Sequence, residues 1–152
     1  MKWEKVMFIG SFRHSVDGKG RMIIPSKFRD MIGKEALYVT GAFNDNLSVY
    51  PESAFREHTK SLTEISSTDD ELMDLKNYIL SSTREVSLDP QGRILLPQDL
   101  REEAAIGKEA VVVGSDDYFT IWSAERWDEE CRKKFRSKEE MRKKAKALGI
   151  RF

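Results

Sequence analysis

The chain has 152 residues, 39% of them hydrophobic, and its 26 basic and 26 acidic side chains cancel. This composition indicates a folded, water-soluble protein and argues against a disordered one. No apolar run approaches the roughly 20 residues that cross a bilayer. The charged start MKWEKVMFIG is not expected to be a signal peptide. The single cysteine, Cys131, leaves no intrachain disulfide and favours a reducing cytoplasm.

The charged residues are unevenly distributed, although their sum is zero. Residues 131–152 hold 10 Lys/Arg and 2 Asp/Glu, whereas residues 41–130 are predominantly acidic. A basic face can therefore exist on a neutral molecule, which permits nucleic-acid binding without demonstrating it.

The first predicted elements are two strands joined by the turn DGKG, residues 17–20. Asp bonds readily to the backbone two residues on, and Gly tolerates the positive φ of a tight reversal. The run MIIP that follows is predicted to be a strand buried on both faces. Pro25 ends it and begins a short helix that is expected to stop at Gly33. Two further strands, near residues 37–39 and 47–50, are separated by a polar loop.

A helix is predicted next over residues 67–82, STDDELMDLKNYILSS, because Leu72, Leu75 and Ile79 recur at helical spacing after a Ser-Thr-Asp start. The first pattern then returns. DPQGRILLP at 89–97 repeats DGKGRMIIP at 17–25, and the tetrapeptide GKEA occurs at 33–36 and again at 107–110. The second helix is expected to end at Gly107. The chain is therefore a tandem duplication.

A basic helix is predicted from Ala124 onward, with Trp127, Cys131 and Phe135 on one face. The basic stretch could lower the pKa of Cys131 and make it reactive, but a role in helix packing is favoured. The basic tail itself admits three interpretations: a solvated helix face, contact with the acidic region of a neighbouring subunit, or non-specific DNA binding.

The duplication predicts the fold class. A single copy would leave open strand edges and too small a core, and two interlocked copies would remove both problems. We expect a mainly β protein with short helices (α+β). Its centre should be a pseudo-twofold β-barrel of double-psi or swapped-hairpin type, built from two tandem repeats, with a C-terminal helix added.

The two repeated segments MFIGSFRHSVDGKGRMIIPSKFR and SLDPQGRILLPQDLR resemble the MraZ family over about residues 7 to 127. That family consists of two tandem SpoVT/AbrB-type units, and its Asp-x-x-x-Arg motif is intact in both copies here. The resemblance implies a first repeat at 8–54, a connecting helical segment at 55–82, a second repeat at 83–126 and a basic C-terminal helix or tail at 127–152.

The resemblance also implies function: a sequence-specific DNA-binding regulator of transcription, acting on a division and cell-wall gene cluster that includes its own promoter. The implied partners are double-stranded DNA with a repeated promoter element and further copies of the same chain in a ring. The resemblance further implies a cytoplasmic, nucleoid-associated location. No membrane association, no small-molecule substrate and no cofactor are expected.

The candidate site consists of the two turns. An Arg at the end of a Gly-rich turn can contact a phosphate or the O6 and N7 atoms of guanine. The candidate DNA-binding residues are Arg13, Lys19, Arg21, Gln91 and Arg93, and the candidate loop-positioning residues are Asp17, Gly20, Asp89 and Gly92. Because Gln91 replaces Lys19 in the second copy, the first turn is expected to contribute more electrostatic affinity.

Other interpretations of these residues remain open. Each Asp and Arg could form only an internal ion pair that holds its turn. Arg29 and Arg101, on the short helices, could be surface charges or contacts to the DNA backbone, and His14 could add a phosphate contact.

No enzyme activity is expected. Paired aspartates on a duplicated barrel occur in aspartic proteases, but Asp17 and Asp89 each have their own Arg and cannot share a proton. The sequence lacks metal-ligand spacings and phosphate-binding glycine motifs. The alternative function is a non-catalytic assembly protein with the same barrel, which would have no reason to carry Arg on both turns.

Overall fold

A computed structural model describes residues 7–64 and 69–152. Each half of the chain forms the same order of elements: strand, strand, helix, strand, strand, helix, helix. The first half contains β1 (Ser11–Ser15), β2 (Arg21–Ile23), α1 (Ser26–Ile32), β3 (Leu37–Thr40), β4 (Leu47–Pro51), α2 (Glu52–Thr63) and α3 (Asp70–Ser81). The second contains β5 (Thr83–Val86), β6 (Arg93–Leu95), α4 (Gln98–Glu103), β7 (Glu109–Ser115), β8 (Tyr118–Ser123), α5 (Ala124–Lys133) and α6 (Lys138–Ala147).

The two halves exchange strands. Six strands form one antiparallel sheet in the order β1-β7-β8-β4-β3-β5, and β2 pairs with β6 in a two-stranded ribbon. Strand β1 of the first half pairs with β7 of the second, and β5 pairs with β3. Neither half can therefore complete its hydrogen bonding alone, and the predicted α+β fold of two interlocked repeats is confirmed.

The strand registers reveal a pseudo-twofold axis. In the sheet, Ser48 lies opposite Thr120, which is its own counterpart in the second repeat. In the ribbon, Met22 lies opposite its counterpart Ile94. An axis through these two pairs exchanges the repeats, so it brings corresponding residues of the two ribbon strands side by side.

The ribbon packs its inner face onto the core of the molecule. Met22 and Ile94 are each 1% exposed and belong to the same buried cluster as the sheet residues. The centre of that cluster includes Phe8, Phe28 and Phe119, whose rings make edge-on or tilted contacts at centroid distances of 4.9 to 5.3 Å. The ribbon is joined to the edge strands β1 and β5 by the two turns, and it covers the core between them.

The short helices end differently from each other. Helix α1 stops at Gly33, whose φ of 60° is left-handed, as expected. Helix α4 stops earlier than predicted, with Ala104 as its C-cap and the left-handed conformation at Ala105. The prediction for Gly107 was therefore wrong; the backbone reverses before this glycine, and the buried side chains of Ala104 and Ile106 hold it there.

The predicted connecting helix is present as α3 over residues 70–81, and Asp69 caps it by accepting a hydrogen bond from the Leu72 N–H at 3.2 Å. Residues 67 and 68 of that prediction lie outside the described residues. A second helix, α2, precedes it. The connecting segment is thus a helix pair, and it corresponds in position to α5 and α6 of the second repeat.

The C-terminal region is two helices rather than one. Helix α5 ends at Lys133, so Phe135 lies beyond it, although its ring still approaches Trp127 at 5.9 Å between centroids. Ser137 then starts α6 by accepting a hydrogen bond from the Glu140 N–H at 3.1 Å. Among the helices that the structure describes, none has the length and apolar character needed to cross a membrane.

Candidate nucleic-acid interface

The first turn is organised by the carboxylate of Asp17. Its Oδ1 accepts hydrogen bonds from the backbone N–H groups of Lys19 and Arg21 at 3.0 and 2.9 Å. Its Oδ2 accepts from Arg21 Nε at 2.8 Å. A short Asp side chain at the start of a turn is suited to this arrangement because it reaches the backbone two residues on. Asp17 therefore shapes the turn and orients the guanidinium.

The second turn repeats this geometry. Asp89 Oδ1 accepts from the N–H groups of Gln91 and Arg93 at 2.9 and 2.8 Å, and Oδ2 accepts from Arg93 Nε at 3.0 Å. The equivalence extends to the backbone, since the Gly N–H bonds to the Asp carbonyl in both turns, at 3.0 Å for Gly20 and 2.9 Å for Gly92. Asp17 and Asp89 therefore lie where loop-positioning residues were predicted.

Each Arg donates to its Asp through Nε. A guanidinium carries five N–H donors in a planar fork, so this pairing leaves the Nη groups of Arg21 for a second acceptor. In Arg93 it leaves Nη1 and part of Nη2, because Nη2 also donates to Gln91 Oε1 at 3.3 Å. The side chains of Arg21 and Arg93 are 36% and 30% exposed. The ion pair and a contact to an external phosphate or base are therefore compatible, and the two earlier interpretations do not exclude each other.

The pKa of Asp17 reflects this bonding. The backbone N–H of Arg21 is the largest cause that lowers it, from 3.8 to about 2, and the Arg21 side chain and the Lys19 N–H add to the effect. The Arg93 N–H likewise lowers the pKa of Asp89. Both carboxylates are ionised at neutral pH, as their roles require.

The ribbon brings the two arginines to one surface. Arg21 lies opposite Leu95 and Arg93 opposite Ile23, on either side of the central Met22–Ile94 pair. A surface depression of about 360 Å³ is lined by both arginines together with His14, Asp17 and Ile23. The two predicted turns, 72 residues apart in sequence, therefore form a single candidate site.

The outer face of the ribbon is partly apolar. Ile23 is 39% exposed and Leu95 is 54% exposed, so the prediction that these strands are buried on both faces was wrong. The physical reason is that the ribbon has the core on one side only, so alternate side chains face solvent. Sequence reasoning missed both residues, because the runs MII and ILL are apolar at every position and show no alternation with polar residues.

The two residues inside the turns differ in their surroundings. Lys19 is exposed, whereas Gln91 Oε1 accepts a hydrogen bond from Arg93 Nη2 at 3.3 Å. The second arginine is thus restrained by two neighbours, Asp89 and Gln91.

Arg13 lies on strand β1, outside the two turns. Its Nη2 donates to Asp128 Oδ1 on α5 at 2.7 Å, and this hydrogen bond raises the pKa of Arg13. His14 follows Arg13 in the strand and lines the depression. The structure therefore places Arg13 in an exposed ion pair, while its neighbour lies beside the two arginines.

The buried glycines of the turns are covered by arginines of the other repeat. A Cβ atom at Gly20, where φ is 91°, would lie 2.8 Å from Arg101 Cζ, and one at Gly92, where φ is 78°, would lie 2.7 Å from Arg29 Cζ. A side chain at either position would thus be strained and would collide with a guanidinium. Sequence reasoning noted Arg29 and Arg101 as a matched pair, but no sequence signal indicated what they contact.

One known protein family has a repeat that occurs twice in this chain. The model of the family described as "MraZ protein, putative antitoxin-like" matches it twice, at residues 7–77 and 79–149. Each match begins just before the first strand of a repeat and extends into its helix pair. The family's repeat therefore includes the helices that follow the strands.

Relatives named transcriptional regulator MraZ cover most of the chain. The protein of Herpetosiphon aurantiacus is 41% identical over 121 residues, which is 80% of this chain and 84% of the relative. That of Finegoldia magna is 41% identical over 123 residues, or 81% and 85% of the two chains. That of Moorella thermoacetica is 40% identical over 126 residues, or 83% and 87%.

Among solved structures, the solution structure of PHS018 from Pyrococcus horikoshii matches with a TM-score of 0.34 and 16% identity, covering 74% of this chain and 96% of that one. The sequence relatives are far more similar. Since the family model spans both halves and relatives at about 40% identity cover four-fifths of the residues, the chain belongs to the MraZ family.

Proposed function

We propose that this protein regulates transcription by binding double-stranded DNA with the ribbon β2–β6 and its two turns. The observation that most directly supports this proposal is the pair of Asp-bound arginines, Arg21 and Arg93, which lie on one surface around a pseudo-twofold axis. The printed name of the relatives, transcriptional regulator, supports the general role.

The shape of the ribbon suits the major groove of DNA. That groove is about 12 Å wide and admits a two-stranded β-ribbon. Arg21 and Arg93 would contact guanine O6 and N7 or flanking phosphates through their outer Nη edges. The exposed side chains of Ile23 and Leu95 are suited to contact with thymine methyl groups, which form the apolar feature of the same groove.

The two turns would not contribute equally. Lys19 adds an exposed positive charge to the first turn, whereas Gln91 is neutral and bonded to Arg93. Lys19 would supply phosphate affinity that depends on salt, and Gln91 would orient Arg93 or bond to a base edge. Arg13 pairs with Asp128 through Nη2, so it would contact a phosphate through its other guanidinium N–H groups or by exchanging one exposed ion pair for another.

The target is proposed from the family resemblance: a short repeated element in the promoter of a division and cell-wall gene cluster, including the promoter of this protein's own gene. Two related turns on one subunit favour a repeated element, because each can occupy one copy of it. Function at such a promoter places the protein in the cytoplasm, associated with the nucleoid.

Self-association into a ring is part of the proposal. Helix α3 is acidic in its first turn, with Asp70 and Glu71, and exposes Leu75 and Tyr78 by 38% and 46%. Helix α6 is strongly basic. Charge and apolar surface of this kind suit contact between neighbouring copies, and a ring would present many turns to DNA and gain affinity by avidity.

The deciding experiment measures binding of the purified protein to DNA from upstream of its own gene and to a scrambled duplex, over a range of salt concentrations. We expect preference for the upstream duplex. Its affinity should decrease with salt at a log–log slope of about −0.9 per phosphate contact. Replacing Arg21 with Ala should cost about 1–3 kcal/mol of binding free energy, roughly fivefold to 150-fold in affinity, and remove the preference.

Arg56→Ala is the matched control. Arg56 also forms an i,i+4 ion pair, with Glu52 at 2.9 Å, but on helix α2 rather than on the ribbon. Its replacement should leave both affinities unchanged. Equal, weak, salt-sensitive binding of the wild-type protein to both duplexes would contradict the proposal and favour the alternative of a non-catalytic assembly protein.

A further inference from the structure

The two candidate DNA-contacting turns are each held by the opposite repeat. The Gly20 carbonyl of the first turn accepts a hydrogen bond from the Leu96 N–H at 2.9 Å, and the Gly92 carbonyl of the second accepts from the Ile24 N–H at 3.0 Å. Two arginine side chains also contact the turn of the opposite repeat. Arg101 of the second repeat lies over Gly20, and Arg29 of the first repeat lies over Gly92.

The close approach leaves little freedom at the glycines. A Cβ atom at Gly92 would lie 2.6 Å from Arg29 Cδ, and one at Gly20 would lie 2.5 Å from Arg101 Nε. The long side chains thus occupy the space beside each turn that only glycine leaves open. Arg93 and Arg21 follow these glycines directly in sequence, so a shift of the glycine backbone would move the DNA-contacting side chain.

We propose that Arg29 and Arg101 are crossed positioning residues: Arg29 sets the conformation of the Asp89–Arg93 turn, and Arg101 sets that of the Asp17–Arg21 turn. This inference rests on the proposed function for its effect on DNA. It means that the helix of each repeat controls the DNA contact of the other. Each of the two contacts of one subunit is therefore built from both repeats, and neither repeat forms its contact alone.

The two arginines are held differently. Arg101 Nε donates to the Leu96 carbonyl at 3.3 Å, within its own repeat. Arg29 Nε is shielded from solvent and has no hydrogen-bond partner among the described residues. Arg29 therefore lies beside Gly92 without a hydrogen bond from its Nε among the described residues. Methionine, which keeps an unbranched stem of similar length but lacks the guanidinium, is the suitable replacement.

The test is a pair of double-mutant cycles on the upstream duplex. One combines Arg29→Met with Arg93→Ala, and the other combines Arg29→Met with Arg21→Ala. We expect Arg29→Met alone to weaken binding roughly threefold or more, a size typical of coupled neighbours. The loss should largely disappear when Arg93 is already Ala and persist in full when Arg21 is Ala.

A residue that only stabilised the fold would not produce this selectivity, because global destabilisation affects both turns alike. Thermal unfolding of each variant checks that it is folded at the assay temperature. If Arg29→Met does not fold, Arg29→Lys replaces it in both cycles. Coupling of Arg29 to Arg21 in place of Arg93, or additive losses in both cycles, would overturn the inference.

Amide chemical shifts separate failure of this inference from failure of the proposed function. In the absence of DNA, Arg29→Met should shift the amide signals of Gln91 to Arg93 more than those of Lys19 to Arg21, and Arg101→Met should do the reverse. If these crossed shifts occur while neither Arg21→Ala nor Arg93→Ala affects binding, the positioning stands and the proposed DNA contact fails. Shifts confined to the turn of the mutated repeat would disprove the crossing.

Discussion

Asp17 is the residue whose chemistry governs the first turn, and its ionisation has a consequence for stability. Its pKa is about 2 in the folded protein, against an ordinary value of 3.8, and the largest cause is the hydrogen bond from the Arg21 N–H. A carboxylate with a lowered pKa stabilises the folded state above its ordinary pKa. That contribution is lost as the pH falls from about 4 towards 2.

Asp17→Asn should therefore destabilise the protein at pH 5 to 7 and have less effect near pH 2. The amide can still accept from the backbone, but it cannot carry the charge that pairs with Arg21. Urea unfolding at several pH values between 2 and 7 measures the difference from wild type, with Asp30→Asn on α1 as the exposed control. If the difference in unfolding free energy between Asp17→Asn and wild type stays constant over this pH range, the role assigned to the Asp17 carboxylate is contradicted.

At the scale of elements, the ribbon is the structure that has two distinct faces. Ile94 is 1% exposed and Leu95 is 54% exposed, although they are adjacent in β6 and both aliphatic. Burial on one face joins the ribbon to the core, while the other face remains available beside Arg21 and Arg93.

Truncation should separate these two roles. Ile94→Ala should lower the free energy of unfolding by about 2–5 kcal/mol, the usual cost of removing a large buried aliphatic side chain. Leu95→Ala should change it by less than about 1 kcal/mol, because the side chain loses little burial, while weakening binding to the upstream duplex. Chemical denaturation and a binding titration on the same two variants test both statements. Similar destabilisation by the two changes would show that the ribbon faces are assigned incorrectly.

At the scale of the whole molecule, the exchange of strands makes the two repeats interdependent. Among the described residues, β1 pairs in the sheet with β7 alone and β5 with β3 alone, so each repeat supplies an edge strand to the other. Separation of the repeats would expose strand edges and divide the core.

Fragments 1–82 and 83–152 should therefore be unable to fold as monomers. Each alone is expected to be largely unfolded or to associate with itself, and an equimolar mixture should recover the sheet. Far-UV circular dichroism and sedimentation of each fragment and of the mixture measure this, with the intact chain as reference. A fragment that is monomeric and unfolds cooperatively by itself would refute the interdependence.

Much of the local structure follows from short-range patterns. The DGKG and DPQG turns, the Asp-Arg pairs four residues apart, the prolines before α1 and α4 and the helix α3 were all predicted and are present. Interactions within about four residues depend on few competing alternatives, so sequence indicates them well. The end of α4 was not predicted correctly, because burial of Ala104 and Ile106 moved the reversal away from Gly107.

The sequence by itself determined that the chain is a tandem repeat, that each repeat carries an Asp-stabilised turn ending in Arg, and that an α+β fold of two interlocked repeats would result. Only the tertiary structure decided which strands pair across the repeats, that Ile23 and Leu95 face outward, that Arg13 pairs with Asp128, and that Arg29 and Arg101 lie over glycines of the opposite repeat. The physical reason is that these contacts join residues far apart in the chain. The two repeats have the same order of elements, so they offer similar partners within a repeat and between repeats, and burial of one shared core selects the exchanged arrangement.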